Sequence, residues 1–250
     1  MTGEHKRQED NIGQMSSAGS SGPRAASAHH SRSHSDRREA NILGLPRKIR
    51  ARIYQTVLYV PHPLYLFQDT GTKVETFAPE RPNRWLSLLQ VNRQIHEEAA
   101  EVLFGMNNFT LLDERQPQDL LLKAFLTCIG PVNSALLTHL SMDFPTLEGP
   151  LGEVKLKDDS LRRLKLLKSH CTNLTTLETS FSVKHAKDLV QVAGDSPQSV
   201  NEALSQVNLQ LQTIPSLKTT IVRITGPQPA PSTLECMRSL GWTTLPAYGH

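Results

Sequence analysis

Apolar side chains recur at two periods along this chain. From Asn41 onward, Ile42, Leu45, Ile49, Ile53 and Val57 step by three and four, which places them on one side of a helix. Pro46 falls in the first turn of that helix, where a missing N–H costs nothing, and Pro61 and Pro63 set its end. The runs 64–67 and 74–77 are β-prone and flank a glycine-containing turn at 69–72, the pattern of a hairpin. A second helix follows, with Leu88, Val91, Ile95, Ala99, Val102 and Met106 on one side. Arg93, Gln94, Glu97 and Glu101 fall on the other, and Gly105 is its stop.

Downstream, the two periods alternate. Residues 108–112 read as a strand, 120–129 as a helix ended by Gly130-Pro131, and 139–144 as a strand closed by Pro145. Leu161, Leu164, Leu167 and Cys171 make a helix stripe capped by Asp158, Asp159 or Ser160. Residues 174–181 read as a strand, 186–211 as helical with a break near Gly194 and Pro197, 220–225 as a strand and 234–240 as a last short helix. Strand–helix units spaced by roughly 35–45 residues predict parallel strands joined by right-handed crossovers. The segments 164–177 and 211–221 share a loose leucine pattern. The fold class expected is therefore mixed α/β: N-terminal helices with an inserted β-hairpin over 41–112, then strand–helix units over 113–250. Those units form a small parallel sheet, either leucine-rich-repeat-like or compact.

Residues 1–40 break the pattern. Ser, Gly, Ala, His and Arg dominate there, and such a stretch cannot offset its ordering entropy by burial, so a disordered tail is expected. His29, His30 and His34 lack the cysteines or regular spacing of a metal site and read as solvated. Over the whole chain, 38% of residues are hydrophobic and the formal charge is only +3, too small to argue by itself for nucleic acid or an anionic surface. No apolar run approaches the roughly 20 residues that span a bilayer, and no apolar segment near the start suggests a secretory signal. Cys128, Cys171 and Cys236 are odd in number and widely spaced, as in reduced thiols of a cytoplasmic or nuclear protein, and Cys171 is expected in the core.

Chemistry-bearing patterns are sparse. His96-Glu97-Glu98 is not the two-histidine helix of a zinc protease, and no Gly-x-Ser-x-Gly elbow or lysine-bearing phosphate loop occurs. His139 and Asp143 share one strand and could mark a cleft, but no nucleophile joins them. No cofactor is expected. Arg47, Lys48, Arg50, Arg52, Arg81, Arg84 and Arg93 gather near the first helices, and Arg162, Arg163, Lys165 and Lys168 line another. Without interleaved aromatics these read as solvated helix faces rather than a nucleic-acid stripe. Trp85 and Trp242 read as core plugs.

Three segments carry a resemblance. Leu45-Pro46 is followed by Ile49-Arg50-x-x-Ile53-Tyr54. Then come Leu88-Leu89-x-Val91-Asn92-Arg93-Gln94-Ile95-x-x-Glu98-Ala99 and Phe104-Gly105-x-Asn107-x-Phe109. Residues 41–145 thereby resemble the fungal F-box-like proteins, with looser likeness beyond, although the hairpin between the helices replaces the short loop usual in an F-box. That resemblance implies a non-enzymatic, intracellular interaction module. It would be a substrate adaptor that docks on a small ligase adaptor subunit of a cullin-type ubiquitin ligase and recruits a protein substrate through its C-terminal region. It further implies that Leu45, Pro46, Ile49, Ile53 and Val57 form the partner-binding surface or its support. The alternatives are an F-box-like scaffold or regulatory protein without the ligase link, an enzyme with an unrecognised site, and a nucleic-acid binder.

Overall fold

Among the described residues six strands run parallel, and their order across the sheet is their order along the chain. They are β1 (Leu64–Gln68), β3 (Asn108–Leu111), β4 (His139–Asp143), β7 (Thr176–Ser182), β8 (Thr219–Thr225) and β9 (Thr243–Pro246). The hairpin partner β2 (Val74–Phe77) lies antiparallel on β1 at one edge, giving the order β2-β1-β3-β4-β7-β8-β9. A separate two-stranded piece pairs β5 (Leu147–Glu148) with β6 (Lys155–Leu156). This computed structural model describes residues 41–68, 73–78, 81, 84–112, 117–151, 153–194 and 196–248. The expected tail at 1–40 and the hairpin turn at 69–72 lie outside the described residues.

Helices make the crossovers. α1 (Arg47–Leu58) precedes the sheet, α2 (Arg93–Met106) links β2 to β3, and α3 (Gln118–Leu136) links β3 to β4. α4 (Asp158–His170) precedes β7, α5 (Val183–Ala193) and α6 (Pro197–Leu211) precede β8, and α7 (Pro231–Ser239) precedes β9. When each strand joins its next neighbour by a right-handed crossover, every connecting helix falls on the same face of the sheet. Burial follows that rule. Leu64, Leu66, Phe109, Leu111, Leu140, Met142, Leu177, Phe181, Val222 and Ile224 are buried on the helix face. Of their alternates on the other face, Tyr65, Thr110, His139, Ser180 and Arg223 are half-buried, while Ser141 and Glu178 are buried. The segments 41–112 and 113–250 share this one sheet through the β3–β4 pairing.

Several sequence expectations are corrected. The second helix begins at Arg93, not Leu88, because the Asn92 side chain accepts a hydrogen bond from the Ile95 N–H (2.9 Å) and caps it; Trp85–Gln90 forms a separate 3-10 turn. Val91, left outside the helix, is exposed, as is Met106 at its last position. The stop expected at Gly130-Pro131, by contrast, is present as a break within α3, which is two helical stretches joined at a kink. Gly130 takes φ 77, which glycine tolerates without a Cβ clash, and the chain resumes helical geometry to Leu136. Counted across that break, the 19 residues of α3 pass for a bilayer span by length and composition, but neither helical stretch alone is long enough. Its Leu121, Leu122, Phe125 and Leu126 face is buried in the core. Lys157, not an acidic or hydroxyl residue, is the N-cap of α4, and Asp158 and Asp159 fall in its first turn, where the helix dipole favours them. Ser160 turns inward and accepts from the Thr146 N–H (3.0 Å). Finally, two arginines expected on solvated faces are buried: Arg50 and Arg163. β9 and the β5–β6 piece carry too few residues to show a period.

Candidate docking surface and polar cleft

The first candidate surface lies on α1. Successive residues rotate by about 100°, so an i, i+4 row drifts by about 40° per step around the helix. The row Ile49, Ile53, Val57 therefore winds from solvent toward the core, with Leu45 in extended backbone just ahead of the helix. Leu45 is 38% and Ile49 48% exposed, Ile53 is half-buried, and Val57 packs against the core. Pro46, the N-cap of α1, is exposed. The structure thus brings Leu45, Pro46 and Ile49 together at the surface, with Ile53 at its margin, and takes Val57 out of it. Exposed Lys48 and Arg52 flank the row on one side.

The inner face of α1 is Arg50, Tyr54 and Leu58. Arg50 Nε donates to Glu98 Oε2 of α2 at 2.8 Å, and Nη2 donates to Glu98 Oε1. Tyr54 Oη donates to Glu98 Oε2 (3.1 Å), and Gln94 Nε2 donates to Oε1 (3.1 Å). Arg50 Nη1 also donates to the Leu45 carbonyl (2.5 Å), which fixes the turn leading into α1. The Arg50 guanidinium, reinforced by Gln94 and Tyr54, outweighs burial and draws the Glu98 carboxyl down to about 2. Neither Arg50 nor Glu98 was singled out from sequence as structural. The available signal was on α2 alone, where Glu98 adjoins the Ile95–Ala99 stripe and a charge so placed requires an opposite partner.

A second buried polar residue ties the helices to the sheet. Asn107, fully buried, accepts from the Val60 N–H (2.7 Å) and donates to the Leu58 (3.0 Å) and Leu103 (2.9 Å) carbonyls. One amide thereby closes α1 and α2 and places the start of β1.

The second candidate surface is the open face of the sheet. A cleft of about 270 Å³ crosses β1, β3, β4, β7 and β8 there. Period-two alternation lines it with polar groups: Thr110, Ser141, Asp143, Glu178, Ser180, Arg223 and Thr225. Glu178 is its buried centre. Arg223 Nε donates to Glu178 Oε1, and Tyr248 Oη donates to Oε2 (3.1 Å). His139 Nε2 lies 3.5 Å from Oε2, a charge contact when protonated rather than a formed hydrogen bond. Burial pushes the Glu178 carboxyl up, while His139, Arg223 and Tyr248 pull it down; the partners win and hold it below the usual carboxylate range. We assign the larger share of that pull to Arg223 and Tyr248, whose contacts are the shorter ones. The Arg223 guanidinium stacks 3.5 Å from the centre of the Tyr248 ring and donates to the Pro246 carbonyl (3.1 Å).

Of the two residues singled out on this strand, Asp143 lines the cleft and His139 lies outside its lining, beside Glu178; Glu178, Arg223 and Tyr248 were missed. A lone charge in each of two otherwise uncharged strands was the readable signal; that they meet depended on register, with Glu178 opposite Ile221 and Ser180 opposite Arg223. Behind β4, Arg163 donates to Gln118 Oε1 (2.7 Å) and to the Asp143 carbonyl (3.1 Å), and Arg162 pairs with Asp119 (2.7 Å). Cys171 is buried and its thiol is pushed up to about 12 by burial. Trp242 is buried with its N–H on Asn208, whereas Trp85 is only half-buried. Among the described residues no group of three or more His, Cys, Asp or Glu could hold a metal ion. Compared with protein families, curated proteins and solved structures, the chain matches none.

Proposed function

We propose that this chain is a non-enzymatic protein-interaction module that links two proteins, in the manner of an F-box-like substrate adaptor of a cullin-type ubiquitin ligase. The observation that carries the reading is the exposed Leu45–Pro46–Ile49 patch on α1. Exposed apolar side chains at the entrance and on the outer face of a helix suit the groove of a partner, and the Arg50–Glu98 network together with buried Tyr54 and Leu58 holds the helix from behind. Lys48 and Arg52 beside the patch favour a groove with an acidic rim. The polar face of the sheet is then the surface left for the recruited protein. Glu178 supports a binding role over acid–base chemistry: a carboxylate already engaged by Arg223 and Tyr248, and held ionised, is a poor proton donor at neutral pH.

The test is co-purification of the folded chain with a ligase adaptor subunit and cullin. Ile49→Asp and Leu45→Asp should each abolish recovery of both. Wild-type chain that is folded yet recovers neither removes the ligase link and leaves the scaffold reading.

A further inference from the structure

We propose that the cleft on the open face of the sheet is the site at which the recruited protein is read, that it takes an uncharged, extended peptide segment presenting a tyrosine, and that Tyr248 holds that side chain's position in the free chain. This rests on the reading of the chain as a recruiting module and names its ligand class.

The cleft crosses five neighbouring strands. Four inter-strand gaps of about 4.8 Å give a length of about 19 Å, room for five or six residues of extended chain at about 3.3 Å each. Its lining includes the hydroxyls of Ser141, Ser180 and Thr225; Ser141 donates to Asn108 Oδ1 (3.0 Å) and Thr225 to the Phe181 carbonyl (3.3 Å), which leaves their oxygens acceptor capacity for the N–H groups of a peptide backbone. Its central charges are already matched, Glu178 against Arg223, so a charged ligand gains no partner. A phosphorylated or acidic side chain would meet the Glu178 carboxylate and be repelled.

Tyr248 shows what the centre accepts. Its ring lies on Arg223 and its hydroxyl donates to Glu178, two contacts that any tyrosine can make. Yet Tyr248 remains 42% exposed, held by these side-chain contacts and by the Ala247 N–H on the Ile224 carbonyl (3.0 Å). A residue seated on specific partners but little buried can be displaced. While it is seated, the apparent affinity for an outside tyrosine falls by the fraction of chains in which the position is open.

The probe is a capped Leu-Pro-Ala-Tyr peptide, copying residues 245–248, titrated into the full chain and followed by backbone amide shifts. Tyr248→Ala should bind it about tenfold tighter than wild type, with shifts centred on Glu178 and Arg223, and Tyr248→Phe should fall between the two. The same peptide ending in phenylalanine should bind Tyr248→Ala several-fold more weakly, and the phosphotyrosine form should not bind. A folded Tyr248→Ala chain that binds no tighter than wild type, that shifts elsewhere, or that prefers phosphotyrosine overturns the proposal. Adaptor recovery through α1 should be the same for Tyr248→Ala and wild type, so loss of the adaptor link and failure of the cleft give different results.

Discussion

Arg50 grips Glu98 across the α1–α2 contact with two guanidinium nitrogens and, with a third, holds the carbonyl of Leu45. One side chain thus joins the two helices and orients the residue that opens the proposed docking patch. Glu98 titrates at about 2 when folded against an ordinary value of 4.5. A carboxyl depressed by folding contributes stability that is complete above its unfolded pKa and is lost as pH falls through the folded one. Unfolding followed from pH 5 to pH 2 should therefore show a steep loss of stability in wild type and a shallower one in Glu98→Gln. Glu178 is depressed in the same direction and should supply part of the slope that remains.

His185 should extend acid sensitivity to milder pH. It is buried at the start of α5, where its Nδ1 accepts from the Ser182 N–H (3.0 Å), and burial lowers it from 6.5 to about 4. The unfolded chain binds the extra proton between those values, so stability falls as pH drops from about 6.5 to about 4, by on the order of 3 kcal/mol at most. His185→Gln keeps an acceptor at the capping position and should flatten this part of the profile.

Opposite sides of α1 should respond differently. Ile49→Asp is expected to change unfolding free energy by less than about 0.5 kcal/mol, since surface positions carry little, while abolishing partner recovery. Tyr54→Ala removes a fully buried ring and should cost about 3–5 kcal/mol in urea unfolding.

Asn107 is the polar counterpart. Asn107→Leu would strand the Val60 N–H and the carbonyls of Leu58 and Leu103 in the core, and should cost about 2–4 kcal/mol. Hydrogen exchange should report the loss first at the Val60 amide.

Thiol labelling separates the cysteines. Exposed Cys128 should alkylate at once in the native chain, and Cys171, buried and with its thiolate suppressed, should react only at the rate of unfolding. Equal rates would show that the Cys171 region opens freely.

Local pattern alone placed α1, the β1–β2 hairpin, β3, β4, β7, β8 and the α5–α6 break within a few residues, because each rests on a periodicity of neighbouring side chains. It also indicated parallel strands. It did not reveal which side of α1 faces inward. The greasier row, Leu45 to Val57, was the natural inner face by hydrophobicity, yet Tyr54, Leu58 and a paired Arg50 took that place. An arginine becomes a core residue only when a carboxylate 48 positions away comes within hydrogen-bonding reach.

By itself, then, the sequence determined the alternation of strands and helices and the two-sidedness of every central strand, since both follow from spacings within one segment. Tertiary structure decided that the strands stack in chain order with their polar alternates on one open face, and that Glu178, Arg223 and Tyr248 meet there. The physical reason is that pairing of buried charges depends on register between strands distant in sequence, and a one-residue shift would turn each of those side chains to the opposite face.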